Sequence, residues 1–235
     1  MTDPAALRAR LADVRERIAR AARRVGRDPT SVRLVAISKT FPADHIKAAA
    51  DFGQIDFGEN KVQEALEKMD QTADLPIRWH LVGHLQSNKA RKAGARFDVV
   101  HSVDQGLIVS RLDEGASAVG RSIELLAQVD LAGEPSKHGA PADQLPALFQ
   151  AAAGLNAVRF TGLMLLPPAV DDPEQARPYF RAIRTLRDDL AARGVNQSML
   201  GELSMGMSQD FEVAIEEGAT VVRVGTAIFG SRHYA

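Results

Sequence analysis

Eight short runs rich in β-branched and apolar residues recur along this chain, and helical stretches separate them. The runs are 32–39, 55–59, 77–82, 97–103, 123–131, 158–166, 202–205 and 220–224. The helical stretches between them are 42–52, 61–69, 87–95, 105–119, 142–153, 173–193 and 208–217. Strands alternating with helices imply right-handed βαβ units and a parallel sheet. Eight such strands in 235 residues fit a closed (β/α)8 barrel, a TIM-like α/β fold. A doubly wound open sheet is the competing architecture. No Pro/Ser-rich linker divides the chain, so 1–235 reads as a single domain.

An extra helix precedes the first strand. Leu7, Leu11, Val14, Ile18, Ala22 and Val25 fall on one face at spacings of three and four. Arg8, Arg10, Arg15, Arg17, Arg20, Arg23 and Arg24 occupy much of the rest. They serve either an anionic surface or, more plainly, a solvated helix face.

Charge and cysteine content narrow the function. A net charge of -1 argues against a dedicated nucleic-acid binder. The absence of cysteine removes disulfides, thiol nucleophiles and cysteine metal sites. The longest apolar stretch, near 162–170, contains two prolines and is too short to cross a bilayer. The Arg-rich N-terminus carries Asp3, Asp13, Glu16 and Asp28, which speak against a transit peptide. A cytoplasmic protein is expected.

In a barrel the chemistry sits where the strands end, with phosphate often held after strands seven and eight. Ser204-Met205-Gly206-Met207-Ser208 follows the seventh strand and is expected to open a helix whose N–H groups favour an anion. Arg223-Val224-Gly225-Thr226 closes the eighth, adding N–H donors and a hydroxyl. Together they read as a phosphate cradle; the alternative is a pair of ordinary turn glycines. Met207 stands where a Walker A loop needs lysine, and no G-x-G-x-x-G follows the first strand.

Lys39 ends the first strand run. At a barrel mouth its amine could attack a carbonyl to form a Schiff base; otherwise it snorkels to water. Lys137 is a rival in a polar loop. Asn60, ending the second run, either orients a ligand or caps the next helix. His80 and His84 have the i, i+4 spacing of a metal pair. On a strand, however, four residues span about 13 Å, so one ion cannot take both.

Ser38-Lys39, Phe57-Gly58-Glu59-Asn60 and the segment Trp79 to Lys89 resemble the pyridoxal phosphate homeostasis protein family, the YggS/PROSC group. So do Gly133 to Gly139, Leu203 to Ser208 and Arg223 to Gly230, and the similarity runs from about Val32 to Gly230. The resemblance implies one barrel like the N-terminal domain of alanine racemase, with pyridoxal 5'-phosphate (PLP) at its mouth. It makes Lys39 the Schiff-base lysine holding PLP as an aldimine. Ser208, Gly225 and Thr226 match phosphate-binding positions, Arg223 the arginine facing the pyridine nitrogen, and Asn60 a residue beside the ring. Lys61 and Leu165-Leu166-Pro167-Pro168 depart from the family's usual pattern near the mouth.

A fixed guanidinium at the pyridine nitrogen disfavours its protonation and weakens carbanion chemistry. Tyr179 and Tyr234 are the only tyrosines and neither lies at a motif. The second domain that supplies a catalytic tyrosine in the racemases is not expected, which also leans toward a monomer. The implied function is intracellular PLP homeostasis, with possible delivery to apo-enzymes and no robust catalysis. A PLP-dependent amino-acid racemase is the alternative. A Schiff-base aldolase would leave Arg223 without a ring to face.

Overall fold

The computed structural model describes residues 3–131 and 138–231, so Lys137 and Tyr234 lie outside the described part. Eight parallel strands close into a barrel in chain order: β1 (Arg33–Ile37), β2 (Asp56–Glu59), β3 (Arg78–Leu81), β4 (Val99–Val103), β5 (Ile123–Val129), β6 (Val158–Leu165), β7 (Glu202–Ser204) and β8 (Val221–Val224). The pairing of β1 with β8, Arg33 opposite Val221 through Ala36 opposite Val224, closes the ring and rules out the open sheet.

The barrel is wrapped by α2 (Ala43–Asp51), α3 (Val62–Gln71), α4 (Ala90–Arg96), α5 (Gly106–Ser117), α6 (Leu145–Gln150), α7 (Arg177–Ala192) and α8 (Phe211–Glu216). Outward-facing Phe57, Leu81, Val100, Leu125 and Leu163 bury against these helices. The extra helix, α1 (Pro4–Arg24), seals the α2, α8 and α9 side with Leu7, Leu11, Val14 and Ile18. Here α9 is the four-residue helix Thr226–Phe229.

Several arginines of α1 are not merely solvated. Arg10 Nε donates to Ile228 O (2.7 Å) and Arg15 Nη1 to Phe52 O (2.8 Å), while Arg17 and Arg24 pair with Glu212 and Glu216 of α8. The carbonyls lie at the ends of α9 and α2, where helices leave acceptors unsatisfied. These arginines therefore staple α1 to the barrel.

Four expectations need correction. The α-helix expected over 173–193 begins only at Arg177, after a 3-10 turn Pro173–Ala176, because Pro178 is tolerated in a first turn and not in an interior. The helix expected over 142–153 stops at Gln150, and Gly154 at φ +80° turns the chain toward β6. The helix expected from Ser208 starts at Phe211, behind a turn capped by Asp210. Strand β1 stops at Ile37, so Lys39 lies two residues beyond it.

The barrel interior is divided. One part is apolar: Val35, Ile37, Val82 and Val221 form a cluster of their own. Across from it runs a polar chain. Arg223 Nη1 donates to Ser204 Oγ (2.6 Å), Ser204 Oγ lies 2.8 Å from His101 Nδ1, His101 Nε2 lies 2.8 Å from His80 Nδ1, and His80 Nε2 lies 2.8 Å from Asp56 Oδ1. At the base, Arg78 bridges Asp56 and Glu124, and Arg159 also holds Glu124.

Both imidazoles are fully buried, and burial pushes both below the ordinary histidine value, His101 furthest. A histidine depressed in the folded state binds fewer protons folded than unfolded, so stability is lost as pH falls below the unfolded value near 6.5. The expected slope approaches about 1.4 kcal/mol per pH unit for each histidine. Glu59, Asp104 and Asp210, pushed up by burial, act oppositely, in windows that begin at ordinary carboxylate values. Urea unfolding at pH 7.5, 6.5 and 6.0 should show falling midpoints; a rise or a flat profile contradicts two buried neutral imidazoles.

Candidate cofactor site at the barrel mouth

Loops at the C-terminal ends of the strands enclose a cavity of about 520 Å³. Its lining includes all six residues singled out in the sequence: Lys39, Asn60, Ser208, Arg223, Gly225 and Thr226. Arg223 comes from β8 and the others from the segments just after β1, β2, β7 and β8, so the fold gathers groups almost 190 positions apart.

Lys39 is half-buried, and the backbone on both sides of it is held by charged groups. Ser38 Oγ donates to Glu59 Oε1 (2.7 Å). Lys68 Nζ donates to Ser38 O (2.9 Å), to Glu59 Oε1 (2.7 Å) and to Glu64 Oε1 (2.7 Å). Glu64 Oε1 in turn accepts from Thr40 N (2.6 Å). Thr40 sits at φ +70°, a conformation that a β-branched residue rarely adopts. Glu59 is completely buried and its Oε2 has no partner among the described residues. Burial pushes its carboxyl up, while Lys68 and Ser38 pull it back. Lys68 and Glu64 lie i, i+4 on α3, which explains why both reach the turn. This clamp was missed in the sequence. Its signal was a lysine on the otherwise apolar face of the stretch 61–69.

Asn60 does not cap α3. Lys61 occupies that position without a side-chain bond, and Asn60 faces the cavity instead. Gly83 explains how closely the β2 and β3 ends approach: a methyl there would overlap the Asn60 carbonyl.

The helix expected behind the phosphate cradle is not α8. Helix α8 starts too late to supply its N-terminus. Instead, Ser208 Oγ accepts from Gly225 N (3.1 Å) and Ala227 N (3.4 Å), at the start of α9. Among the described residues its own hydroxyl proton has no acceptor. Gly206 has φ +92°, and a Cβ there would meet Ala214 and Phe211. Asp210 closes the turn by accepting from Met207 N (2.6 Å).

Arg223 is 3% exposed, and burial pushes its guanidinium down to about 10. It remains a cation at neutral pH, anchored by Ser204 Oγ and by Leu165 O (2.9 Å). Arg223 lines the cavity.

The two histidines of the i, i+4 pair go different ways. His80 points into the barrel, whereas His84 stacks on His138 at the rim with ring centroids 3.5 Å apart. Ligand atoms of His84, Asp104 and His138 lie within 4.8 Å of one another. Parallel stacked rings, however, project their nitrogen lone pairs side by side rather than toward one point. Tyr179 packs on the core from α7.

Fold and site together define a barrel of the alanine racemase N-terminal type. The family model for the alanine racemase N-terminal domain matches residues 9–233. The chain is 45% identical to the pyridoxal phosphate homeostasis protein of Pseudomonas aeruginosa over 95% of each chain. It is 42% identical to that of Aquifex aeolicus, over 96% of this chain and 98% of the other. PipY of Synechococcus elongatus PCC7942, solved with PLP bound, is 41% identical with a TM-score of 0.83, covering 95% of this chain and 100% of that one. The chain belongs to the pyridoxal phosphate homeostasis protein family.

Proposed function

We propose that this protein binds PLP at the barrel mouth, captures its aldehyde on Lys39, and so keeps the reactive vitamin at a low free concentration in the cytoplasm. One observation carries the reading. The Lys39 amine shares one cavity with Ser208 and Thr226, whose side chains carry hydroxyls, with Gly225, whose N–H Ser208 Oγ holds at 3.1 Å, and with the buried Arg223 cation. These groups fit a phosphorylated pyridine aldehyde: donors for the phosphate, an amine for the aldehyde and a cation for the ring nitrogen. The PLP-bound relative supports the same ligand.

When bound, PLP supplies an aldehyde that condenses with a primary amine and a ring that draws electrons once its nitrogen is protonated. Arg223 keeps its charge and disfavours that protonation. Storage and hand-over to apo-enzymes, by a chain acting alone as one 1–235 unit, follow better from this than racemisation.

The purified protein mixed with PLP should develop a visible absorbance band, and borohydride should fix one PLP per chain. Single enantiomers of alanine should not interconvert at rates near those of a dedicated racemase. Failure to fix PLP sinks the reading; fast racemisation abolished by Lys39→Ala replaces it with the enzyme.

A further inference from the structure

The polar chain through the barrel has only one consistent direction. Arg223 donates into one lone pair of Ser204 Oγ, and with both imidazoles neutral and His80 donating to Asp56 the tautomers leave His101 Nδ1 without a hydrogen, so the hydroxyl proton goes to His101 Nδ1. His101 then carries its hydrogen on Nε2 and donates to His80 Nδ1. His80 carries its hydrogen on Nε2 and donates to the Asp56 carboxylate, which closes the chain at the barrel base. Every donor points from mouth to base, both imidazoles are neutral, and the bonds polarise one another in the same sense.

Reversing the inner links would make an imidazole cationic, because Asp56 still needs an N–H from His80. That cation would face Arg223 on β8 and Arg33 and Arg78 at the base, with Asp56 as its anion. Full burial opposes it further.

We propose that His101, backed by His80 and Asp56, is a positioning residue that makes the Ser204 hydroxyl an obligate acceptor and so holds the Arg223 guanidinium aimed into the mouth. Without the imidazole nitrogen, the Ser204 proton has no acceptor in the chain and can turn against Arg223. Among the described residues the cation then keeps Leu165 O alone. The chain links the ring-facing end of the site to Asp56, which is partly exposed at the opposite end of the barrel. The role in the site rests on the PLP reading above; the alignment of Arg223 does not.

The test is therefore read first without ligand, by nuclear magnetic resonance of the histidine and arginine side chains. His101 and His80 should both be neutral with hydrogen on Nε2. The Arg223 guanidinium protons should exchange slowly in the parent protein. In His101→Leu they should exchange at least roughly tenfold faster, as expected for loss of a charge-assisted bond. His101→Gln, which can accept from Ser204 and donate to His80, should restore slow exchange. If His101→Leu does not fold, Ser204→Ala cuts the same link and should show the same loss. Unchanged Arg223 exchange in a folded His101→Leu or Ser204→Ala protein overturns the proposal, as does a cationic imidazole at neutral pH. With PLP added, His101→Leu should bind roughly tenfold more weakly while borohydride still labels Lys39. Absence of label in the parent protein would strike the PLP reading and leave the ligand-free result standing.

Discussion

Lys39→Ala should abolish covalent capture of PLP while leaving the barrel folded. The variant should show no visible band, no borohydride-fixed label, and an affinity at least roughly a hundredfold weaker, equivalent to about 3 kcal/mol. The fold should survive because the turn is held through its neighbours. Ser38 and Thr40 make the bonds to Glu59, Lys68 and Glu64, and these do not involve the Lys39 side chain. Thermal unfolding with and without PLP reads both halves of the expectation at once. A ligand present at a hundred times its dissociation constant stabilises a protein by about 2.7 kcal/mol. The parent protein should show that gain, and Lys39→Ala should lose nearly all of it at the same PLP concentration. A variant that still acquires label would transfer the chemistry to another lysine.

The second large effect is expected behind the site. Lys68→Met removes the cation that neutralises the completely buried Glu59, whose second oxygen already lacks a partner. Breaking a buried pair from one side costs about 3–5 kcal/mol, because the remaining charge must be desolvated or take up a proton. At about 2–4 °C per kcal/mol for a chain this size, the melting temperature should fall by roughly 6–20 °C. The same change frees the Ser38 carbonyl and loosens Glu64 from Thr40, so PLP capture should slow as well. Lys68→Arg should recover part of the stability. A loss below about 1 kcal/mol in Lys68→Met would show that the cluster is more hydrated than its burial indicates.

Much of this architecture was legible in the residues because alternation and β-branching report directly on strands. Even the three-residue β7 was visible. Lys39 and the Gly206 and Gly225 segments stood out for a different reason: an amine ending an apolar run is costly unless it is exposed, paired or used, while glycines at strand ends read equally as an anion loop or as ordinary turns. What escaped was set by tertiary contacts. A lysine among the apolar residues of the stretch 61–69 hints that α3 turns Lys68 inward, but nothing local shows that it reaches the Lys39 turn, or that α9 rather than α8 stands behind Ser208. The His80 and His101 pair was harder still. His80 looks like a lone polar residue in an apolar run and His101 stands beside only Ser102 in another, and only barrel closure brings the strands' inner faces together. Pro178 is the exception, since its ring does announce a helix boundary, and the break at Arg177 was available from the sequence.

The central claim is that Lys39 and the cradle act on one molecule of PLP. A crystal structure of the protein soaked in PLP tests this most directly. The expected density is continuous with Lys39 Nζ, with the phosphate on Ser208, Gly225 and Thr226 and the ring nitrogen against Arg223. Density joined to a different lysine, or a phosphate seated away from that cradle, would contradict it.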